Sequence, residues 1–339
     1  MKKTLVAVAA MAAVTGAMAN VTIGGLVDQA LDTTKTTNSS GVTSTTKSIG
    51  PTSNGASELF FTGSEDLGGG MKASFRLGLN MTADSASSTA NASNRISYVG
   101  LEGGFGGIQI GQQWKPGFFV ALAADPTNLT GTAGIAAPLQ LGAYTANSIT
   151  YNLPSLVPGL AVQYQMGRGE TATSNAGNST GYSLTYTSGA LSAGYGSQKM
   201  TATSATTFTT TVAATTLATL TANSSTLNSS VANVAYDFGM VKVNAYNIST
   251  KVAGTTSKHA GSGFGLSIPV SASTRLAVLS SGATGTNGSG TQEKEKGTKY
   301  AVFHNLSKRT MAYGFVGKSS TTGARNALGQ TAFGLMHNF

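Results

Sequence analysis

The chain has no cysteine among its 339 residues, and only 10% of its residues are charged. The missing thiols exclude disulfide bonds, thiol catalysis and thiolate metal sites. Ordinary globular proteins carry about 25% charged residues. The formal net charge is +9, yet no Lys/Arg-rich run or stripe of alternating basic and aromatic residues occurs. The basic balance therefore does not indicate nucleic-acid binding.

Long apolar runs are also missing, because no stretch approaches the ~20 apolar residues that a spanning helix needs. The only pronounced run lies in residues 1–19, where Lys2 and Lys3 precede apolar residues and Ala17-Met18-Ala19 forms a small-x-small site. This pattern predicts a secretory signal peptide, with the mature domain occupying residues 20–339. The exported chain is then either soluble or crosses a membrane as strands.

Groupings of catalytic or metal-binding residues are scarce. His259, His304 and His337 are scattered, without the His-x-x-x-His type of spacing that a metal site uses. The acids and histidines that lie near one another suggest no Ser/His/Asp hydrolase motif. We therefore expect no enzyme activity, no metal and no cofactor.

Glycine, serine and threonine are abundant, with 44 glycines in the chain, which favours strands and turns over helices. In the last ten residues, Phe333, Leu335, His337 and Phe339 fall on one strand face. A terminal aromatic suits a barrel whose last strand pairs with its first at a bilayer interface. The alternative is a buried terminal strand of a soluble β-protein.

Period-2 alternation is clearest in residues 71–81, where Met71, Phe75 and Leu77 alternate with polar residues that include Lys72 and Arg76. Similar segments predict sixteen strands, with an uncertainty of about two. They cover residues 21–33, 57–63, 71–81, 94–101, 107–114, 147–153, 160–169, 181–187, 190–200, 227–237, 241–251, 261–268, 274–281, 298–305, 310–318 and 330–339.

The connections alternate between short turns and long polar loops, which is the layout of a transmembrane antiparallel β-barrel with short periplasmic turns and long extracellular loops. Residues 115–146 form a long segment without alternation, and long loops of this kind are usually functional. Residues 201–226 are rich in Ser, Thr and Ala. We interpret them as a mobile external loop, since such a composition cannot bury a core.

Six stretches in order now resemble the trimeric general porins of Gram-negative bacteria, most closely those of beta-proteobacteria of the neisserial and Comamonas type. Together with the signal peptide and the terminal Phe339, they spread over nearly the whole mature chain. They are residues 21–28, 63–73, 94–101, 147–151, 304–310 and 337–339.

The resemblance implies a sixteen-stranded barrel in the outer membrane, surrounded by its lipid, with a water-filled pore in each subunit of a homotrimer. It implies that residues 115–146 fold into the pore as a constriction. It also implies that Phe339 and the last strand are the signal read by the barrel-assembly machinery.

This chain departs from the family pattern at several positions. Glu58, Gln112 and Thr150 stand where relatives often carry arginine, and the inner loop has a single acid, Asp125. Arg95 does stand where the family has a wall arginine. These departures put the usual cross-pore field in doubt.

Alternation assigns the charged side chains to the two faces of the wall, because a charge facing lipid near the midplane would cost ~2–4 kcal/mol. Lys72 and Arg76 should therefore face the pore. The same parity places Arg95 inside and Tyr98 outside, and it places three further basic residues inside. These three are Lys242, Arg275 and Lys299.

We expect a passive channel for small hydrophilic solutes and ions with a weak anion preference. Lys72, Arg76, Arg95 and Lys115 would attract anions, while Glu58 and Asp125 would oppose or pair with them. The alternatives are a substrate-specific channel and a non-conducting adhesin barrel.

Overall fold

The computed structural model describes residues 20–51, 57–81, 83–84, 95–128, 142–170, 175–203, 206–209, 216–220, 224–322 and 326–339. The signal peptide predicted at residues 1–19 lies outside the described residues. Within the described ranges, no helix is long and apolar enough to cross a membrane.

The described chain consists almost entirely of β-strands, with one helix, α1, at Pro116–Ala124. The strands are β1 Asn20–Thr37, β2 Thr43–Gly50, β3 Glu58–Gly68, β4 Met71–Asn80, β5 Ser97–Gly103, β6 Gly106–Trp114, β7 Tyr144–Asn152, β8 Leu160–Gly167, β9 Ser179–Ser188, β10 Leu191–Thr201, β11 Thr206–Thr209, β12 Thr216–Leu220, β13 Thr226–Asp237, β14 Lys242–Val252, β15 Lys258–Pro269, β16 Thr274–Thr286, β17 Gln292–Asn305, β18 Thr310–Thr322 and β19 Ala327–Asn338.

The large sheet closes on itself, because β1 pairs antiparallel with β19 as well as with β2 and β3. β2 pairs with the second half of β1 and β3 with the first half, so the two together form one position in the wall. Every other strand of the large sheet pairs with its neighbours along the chain, which makes sixteen positions. The predicted sixteen-stranded barrel is confirmed.

We call the pairing of β1 with β19 that closes the barrel the seam. It ends at the terminal residue. Phe339 donates its backbone N–H to the carbonyl of Gly25 at 3.0 Å and accepts the N–H of Gly25 at 3.1 Å. Phe333, Leu335 and Phe339 all expose their side chains on the outer face, as the alternation predicts. Closing the seam leaves no sheet edge for the lipid to contact.

The two faces of the wall follow the period of two. On β4, Leu77 is exposed on the outer face, whereas Arg76 contacts Glu58 on the inner face. The outward prediction for Tyr98 is wrong, because Tyr98 pairs directly with Arg76 and so shares its inner face. The regular strand begins only at Ser97, so alternation does not run from Arg95 through to Tyr98.

The short connections gather at the end of the barrel where β1 begins and β19 ends. One of them, between β3 and β4, contains Gly68, Gly69 and Gly70 with φ of 77°, 62° and 78°. Only glycine adopts this left-handed region without strain. On the opposite side, β16 ends at Thr286 and β17 begins at Gln292. Both strands therefore extend into residues 282–297, which lie between two of the predicted strands.

Three elements escaped prediction: the helix α1, the strand β2 and the hairpin of β11 with β12. The hairpin lies inside the Thr-rich tract, which was expected to be a mobile external loop. Phe208 of β11 is buried against Ala202, Leu227 and Val252. One aromatic residue is enough to anchor part of a tract whose overall composition is polar, although such a composition was expected not to bury a core.

Candidate pore constriction

Glu58 ties two arginines together on the inner face of the wall. Its Oε1 lies 2.7 Å from Nη2 of Arg76, and its Oε2 lies 3.2 Å from Nη2 of Arg95. The side chain of Glu58 is 9% exposed, whereas that of Arg76 is 23% exposed. The arrangement therefore carries one excess positive charge and presents an arginine to the pore water.

Aromatic rings hold the two arginines in place. The guanidinium of Arg76 lies 4.0 Å from the ring centroid of Phe60. Arg95 donates a hydrogen bond of 2.8 Å to the hydroxyl of Tyr144, and its guanidinium lies 5.8 Å from the ring of Trp114. Cation–π contacts of this kind fix a cation while it remains available to an anion.

The backbone before β5 brings Arg95 to this cluster. Gln112 donates from Nε2 to the carbonyl of Arg95 at 2.8 Å. Gln112 thus holds the segment from which Arg95 reaches inward, although it stands where an arginine was expected. Thr150, the other replaced arginine position, is buried and accepts a 3.0 Å hydrogen bond from Gln165. Neither residue adds charge to the pore.

The helix α1 lies inside the barrel against the inner face of β10, β13 and β14. Lys115 precedes it in an extended conformation and Pro116 occupies the first turn, a position where proline suits a helix start. Asn233 donates to the carbonyl of Val120 at 2.6 Å, and Asn244 donates to that of Ala123 at 3.1 Å. The expectation that the long loop folds inward is met by residues 116–128. Residues 129–141 lie outside the described part of the chain.

Glycines on β10 let the helix approach the wall. A Cβ atom on Gly196 would lie 2.5 Å from Cα of Gly117, which real Cβ atoms do not tolerate. Val120 then packs into a core with Val231 and Leu279. The helix therefore rests on the wall and narrows the pore from one side.

A second charged group surrounds the end of α1. Asp125 accepts hydrogen bonds from the backbone N–H and the hydroxyl of Thr127, at 2.7 and 2.6 Å. Arg275 donates to the carbonyl of Pro126 at 2.5 Å. The carboxylate of Asp125 also attracts Arg275 and the fully buried Lys299 electrostatically. Asp125 is therefore one acid near two bases, Arg275 and Lys299, as Glu58 is near Arg76 and Arg95.

Lys115 immediately precedes the helix. Its side chain is buried, and desolvation lowers the pKa of its ammonium group from 10.5 to about 8. A lysine with this pKa changes its charge just above neutral pH. Of the six predicted pore residues, Lys115 and Asp125 flank α1, and Arg95 lies 5.8 Å from Trp114, which stacks on Phe118 of the helix. Glu58 and Arg76 join Arg95 through the ion pairs of Glu58.

A profile of the Gram-negative porin family matches residues 5–324. The chain belongs to this family. The Major outer membrane protein P.IB of Neisseria meningitidis is 35% identical over 114 residues, which are 33% of this chain and 34% of that protein. Outer membrane porin protein 32 of Delftia acidovorans is 35% identical over 118 residues, 34% of this chain and 33% of that protein. The match spans about a third of the length of either curated relative.

The solved structure of an anion-selective porin from Comamonas acidovorans superposes on this porin with a TM-score of 0.76. The two chains are 22% identical, and the superposition covers 95% of this chain and 100% of that one. An OmpF structure from Salmonella typhi gives a TM-score of 0.68 at 16% identity, covering 95% of this chain and 100% of that chain. At this identity both show a shared fold. Family and barrel together make the chain an outer-membrane protein.

Lys72 is the predicted pore residue that the porin leaves out of the constriction. It shares the inner face with Arg76, but it lies four residues nearer the short turns, about 13 Å along the strand. Its direct cross-strand neighbours are Asp66 and Glu102, and its side chain is exposed. Lys72 therefore belongs to the mouth of the barrel, where it lies between two acids.

Two acids of β1, Asp28 and Asp32, lie on the inner wall but were not predicted from the sequence as pore residues. Tyr313 donates its hydroxyl to Oδ1 of Asp28 at 2.6 Å, and Gln330 donates to Oδ2 of Asp32 at 2.6 Å. Both carboxylates are buried on the inner wall. Alternation could have found them, since Asp28 and Asp32 alternate with the exposed Val27 and Leu31. They limit the excess of positive charge in the porin.

The three histidines lie on three different strands. Within the described ranges, no group of three His, Cys, Asp or Glu side chains is placed to hold a metal ion. His259 lies 3.4 Å from Glu295 in the wall, while His304 and His337 lie on other strands and contact threonines.

Proposed function

We propose that this porin is a passive channel through which small hydrophilic solutes and ions diffuse across the outer membrane. A closed barrel with a polar inner face and a helix that narrows it supports this role. No reaction and no cofactor is needed, because the solutes move down their own gradients.

The proposed selectivity is a weak preference for anions. The observation that carries it is that each of two inner-face acids stands among two bases: Glu58 is shared by Arg76 and Arg95, and Asp125 stands near Arg275 and Lys299. The side chain of Arg76 is more exposed to pore water than that of Glu58, the carboxylate with which it pairs. Because Asp28 and Asp32 oppose this charge, the preference should be weak. A similar fold occurs in a porin described as anion-selective.

We further propose a homotrimer assembled in outer-membrane lipid, with Phe339 and the last strand recognised by the barrel-assembly machinery. The support is the family itself, together with a similar Vibrio cholerae OmpT structure described as a trimer form. The exposed ring of Phe339 at the seam is where such a signal could be read.

The first experiment is reconstitution of the purified porin in a planar bilayer with a salt gradient across it. Stepwise currents in multiples of three with a reversal potential of anionic sign are the expected result. Steps with a cationic reversal potential would reject the proposed preference while keeping the channel. Folded, heat-modifiable protein that gives no steps would reject the channel and favour the adhesin alternative.

A substrate-specific channel is the second candidate, and one observation favours it. Phe119 of α1 is 48% exposed and lies 5.5 Å from the ring of Trp114, which also stacks on Phe118. An exposed aromatic ring beside Arg95 could hold an aromatic carboxylate. Saturable block of the current by benzoate, lost in Phe119→Ala, would support this candidate, and linear behaviour would reject it.

A further inference from the structure

Two arginines of the inner wall lie against phenylalanine rings at almost the same distance. The guanidinium carbon of Arg76 is 4.0 Å from the ring centroid of Phe60, and that of Arg275 is 4.2 Å from the ring centroid of Phe303. At such distances an aromatic ring attracts a guanidinium group electrostatically. Each ring also excludes water from the side of the guanidinium that it covers.

Strand register places both rings beside their arginines. Arg275 of β16 pairs directly with Phe303 of β17. Phe60 of β3 pairs with Gly78 of β4, two residues beyond Arg76, so its ring reaches the arginine along the diagonal. The contacts are therefore built into the wall of the barrel and do not depend on the conformation of a loop.

Arg95 makes similar contacts beside the start of α1. Its guanidinium carbon is 5.8 Å from the ring centroids of Trp114 and Tyr144, and these two centroids are 4.5 Å apart. It also donates to the hydroxyl of Tyr144 at 2.8 Å and contacts Glu58 at 3.2 Å. Its side chain is only 11% exposed, so few water molecules reach it. We call Arg76, Arg95 and Arg275 the ring-backed arginines.

The arginines at the ends of the barrel differ from the ring-backed arginines. Arg168 directly follows β8 and Arg309 directly precedes β18, and both are exposed. Among the described residues, no aromatic ring forms a cation–π contact with either of them. The contact with a ring is therefore a feature of the arginines on the inner wall.

Hydration of two ring-backed arginines is reduced on more than the side of the ring. Glu58 occupies Nη2 of both Arg76 and Arg95. The Nε atom of each is buried and forms no hydrogen bond with the described residues. A guanidinium group is already more weakly hydrated than an ammonium group, because its charge is spread over a plane. An anion that reaches these arginines therefore exchanges water for a poorly hydrated cation.

We propose that the ring-backed arginines make the pore prefer weakly hydrated anions, such as thiocyanate, over strongly hydrated anions of the same charge, such as fluoride. This inference rests on the proposed anion-preferring channel and names the class of anion that it favours. An anion loses part of its own hydration at a partly buried cation, and this loss costs least for an ion that binds water weakly. Coulomb attraction alone would favour the smaller fluoride, because it comes closer to the cation.

The test is a set of reversal potentials of the porin in a planar bilayer, with potassium chloride on one side and potassium thiocyanate or potassium fluoride on the other. These potentials give the permeability of each anion relative to chloride. The ratio of thiocyanate to fluoride permeability should exceed the ratio of their mobilities in free solution. A permeability ratio equal to the mobility ratio would overturn the proposal.

Arg76→Lys separates hydration from charge. The lysine keeps a positive charge beside Glu58, but its ammonium group is compact and strongly hydrated. The permeability ratio should fall about twofold, which is the lower end of what one partly exposed cation–π contact contributes. Arg309→Lys is the matched control, since Arg309 is exposed in a turn, and it should leave the ratio unchanged. Equal falls in the two variants would overturn the proposal.

Phe60→Ala tests the ring while every charge is retained. Water can then reach the covered side of Arg76, so the permeability ratio should again fall about twofold. Phe61→Ala is the matched control, because it removes the same ring from the next position of β3, where Phe61 pairs with the exposed Leu77 on the outer face. It should leave the ratio unchanged. An unchanged ratio in both Arg76→Lys and Phe60→Ala would overturn the proposal.

A potassium chloride gradient across the same channels tests the proposed function separately. An anionic reversal potential, together with a thiocyanate-to-fluoride ratio set by free mobility, would keep the proposed anion preference and reject only the preference for weakly hydrated anions. A cationic reversal potential, or folded protein that gives no current steps, would reject the proposed function, and the preference among anions would fall with it.

Discussion

Oε1 of Glu58 lies 2.7 Å from Nη2 of Arg76, and this contact makes an acid the organising centre of a basic cluster. A carboxylate that neutralises one arginine and also holds a second one controls both the charge and the geometry of the pore wall.

Glu58→Gln should increase the preference for anions, because it removes the only negative charge of the Glu58–Arg76–Arg95 cluster. The reversal potential in a salt gradient measures the change, and it should move further in the anionic direction. The variant should also unfold more readily, since removing one partner of a buried ion pair is costly. Glu65→Gln is the control, because Glu65 pairs with Ala73 on the outer face and should leave the reversal potential unchanged.

Arg76→Gln together with Arg95→Gln should move the reversal potential toward cations, because Glu58 then faces the pore without its partners. Lys72→Gln should have a clearly smaller effect, since Lys72 lies at the barrel mouth opposite Glu102. Equal shifts in the double variant and in Lys72→Gln would contradict the assignment of the constriction to the Glu58–Arg76–Arg95 cluster.

Wild-type selectivity should depend on pH through Lys115. Its pKa is lowered to about 8, so its positive charge is present at pH 7 and largely lost at pH 9. The anion preference should fall over this range, and Lys115→Met should reduce that dependence. The lowered pKa also means that the folded state binds fewer protons than the unfolded state between about 8 and 10.5. The contribution of Lys115 to stability should therefore rise with pH in that window.

Gly196→Val should displace α1 from the wall, because its Cβ would meet the backbone of Gly117 at 2.5 Å. Overpacking of this kind costs about 1–3 kcal/mol. The midpoint of thermal unfolding should fall, and single-channel conductance should change as the helix moves into the pore. Gly282→Ala is the control, since its Cβ would meet only the carbonyl of Glu295 at 3.5 Å. If the helix position were unimportant, both variants would conduct alike.

Removing the ring of Phe339 should impair assembly in cells more than folding in the test tube. Phe339→Ala keeps both backbone hydrogen bonds to Gly25, so refolding yield into lipid vesicles should change little. The amount in the outer membrane should fall several-fold. Phe333→Ala removes the same side chain from an exposed position of the same strand and should assemble normally. Equal losses for the two variants would count against a role of the terminal residue as a signal.

The wall of this porin could be predicted from the chain because alternation is a local property. A residue such as Leu77 must face lipid and Arg76 must face water wherever the strand lies in the barrel, since the penalty for the opposite register is large. The same reasoning predicted the inward positions of Lys242, Arg275 and Lys299. It failed at Tyr98, because the residues before Ser97 are not in a regular strand. Alternation counted from Arg95 therefore assigns Tyr98 to the wrong face.

The constriction could be predicted only in outline. The resemblance implied that a loop folds inward, but its helix has no polar face that a pattern search would find. Its position depends on Gly196 and Asn233, which lie about 80 to 115 residues further along the chain. The pairing of Glu58 with Arg95 likewise depends on a segment outside regular structure.

Alternation along the chain is enough to predict about sixteen strands, their two faces and the closing strand that ends at Phe339, because strand period and the cost of a charge in lipid act residue by residue. Which charges meet depends on the closed barrel. Cross-strand register places Lys72 between Asp66 and Glu102, and the folded helix brings Asp125 to Arg275 instead of Arg76. Such contacts arise from closing a sheet over distances that no local pattern encodes.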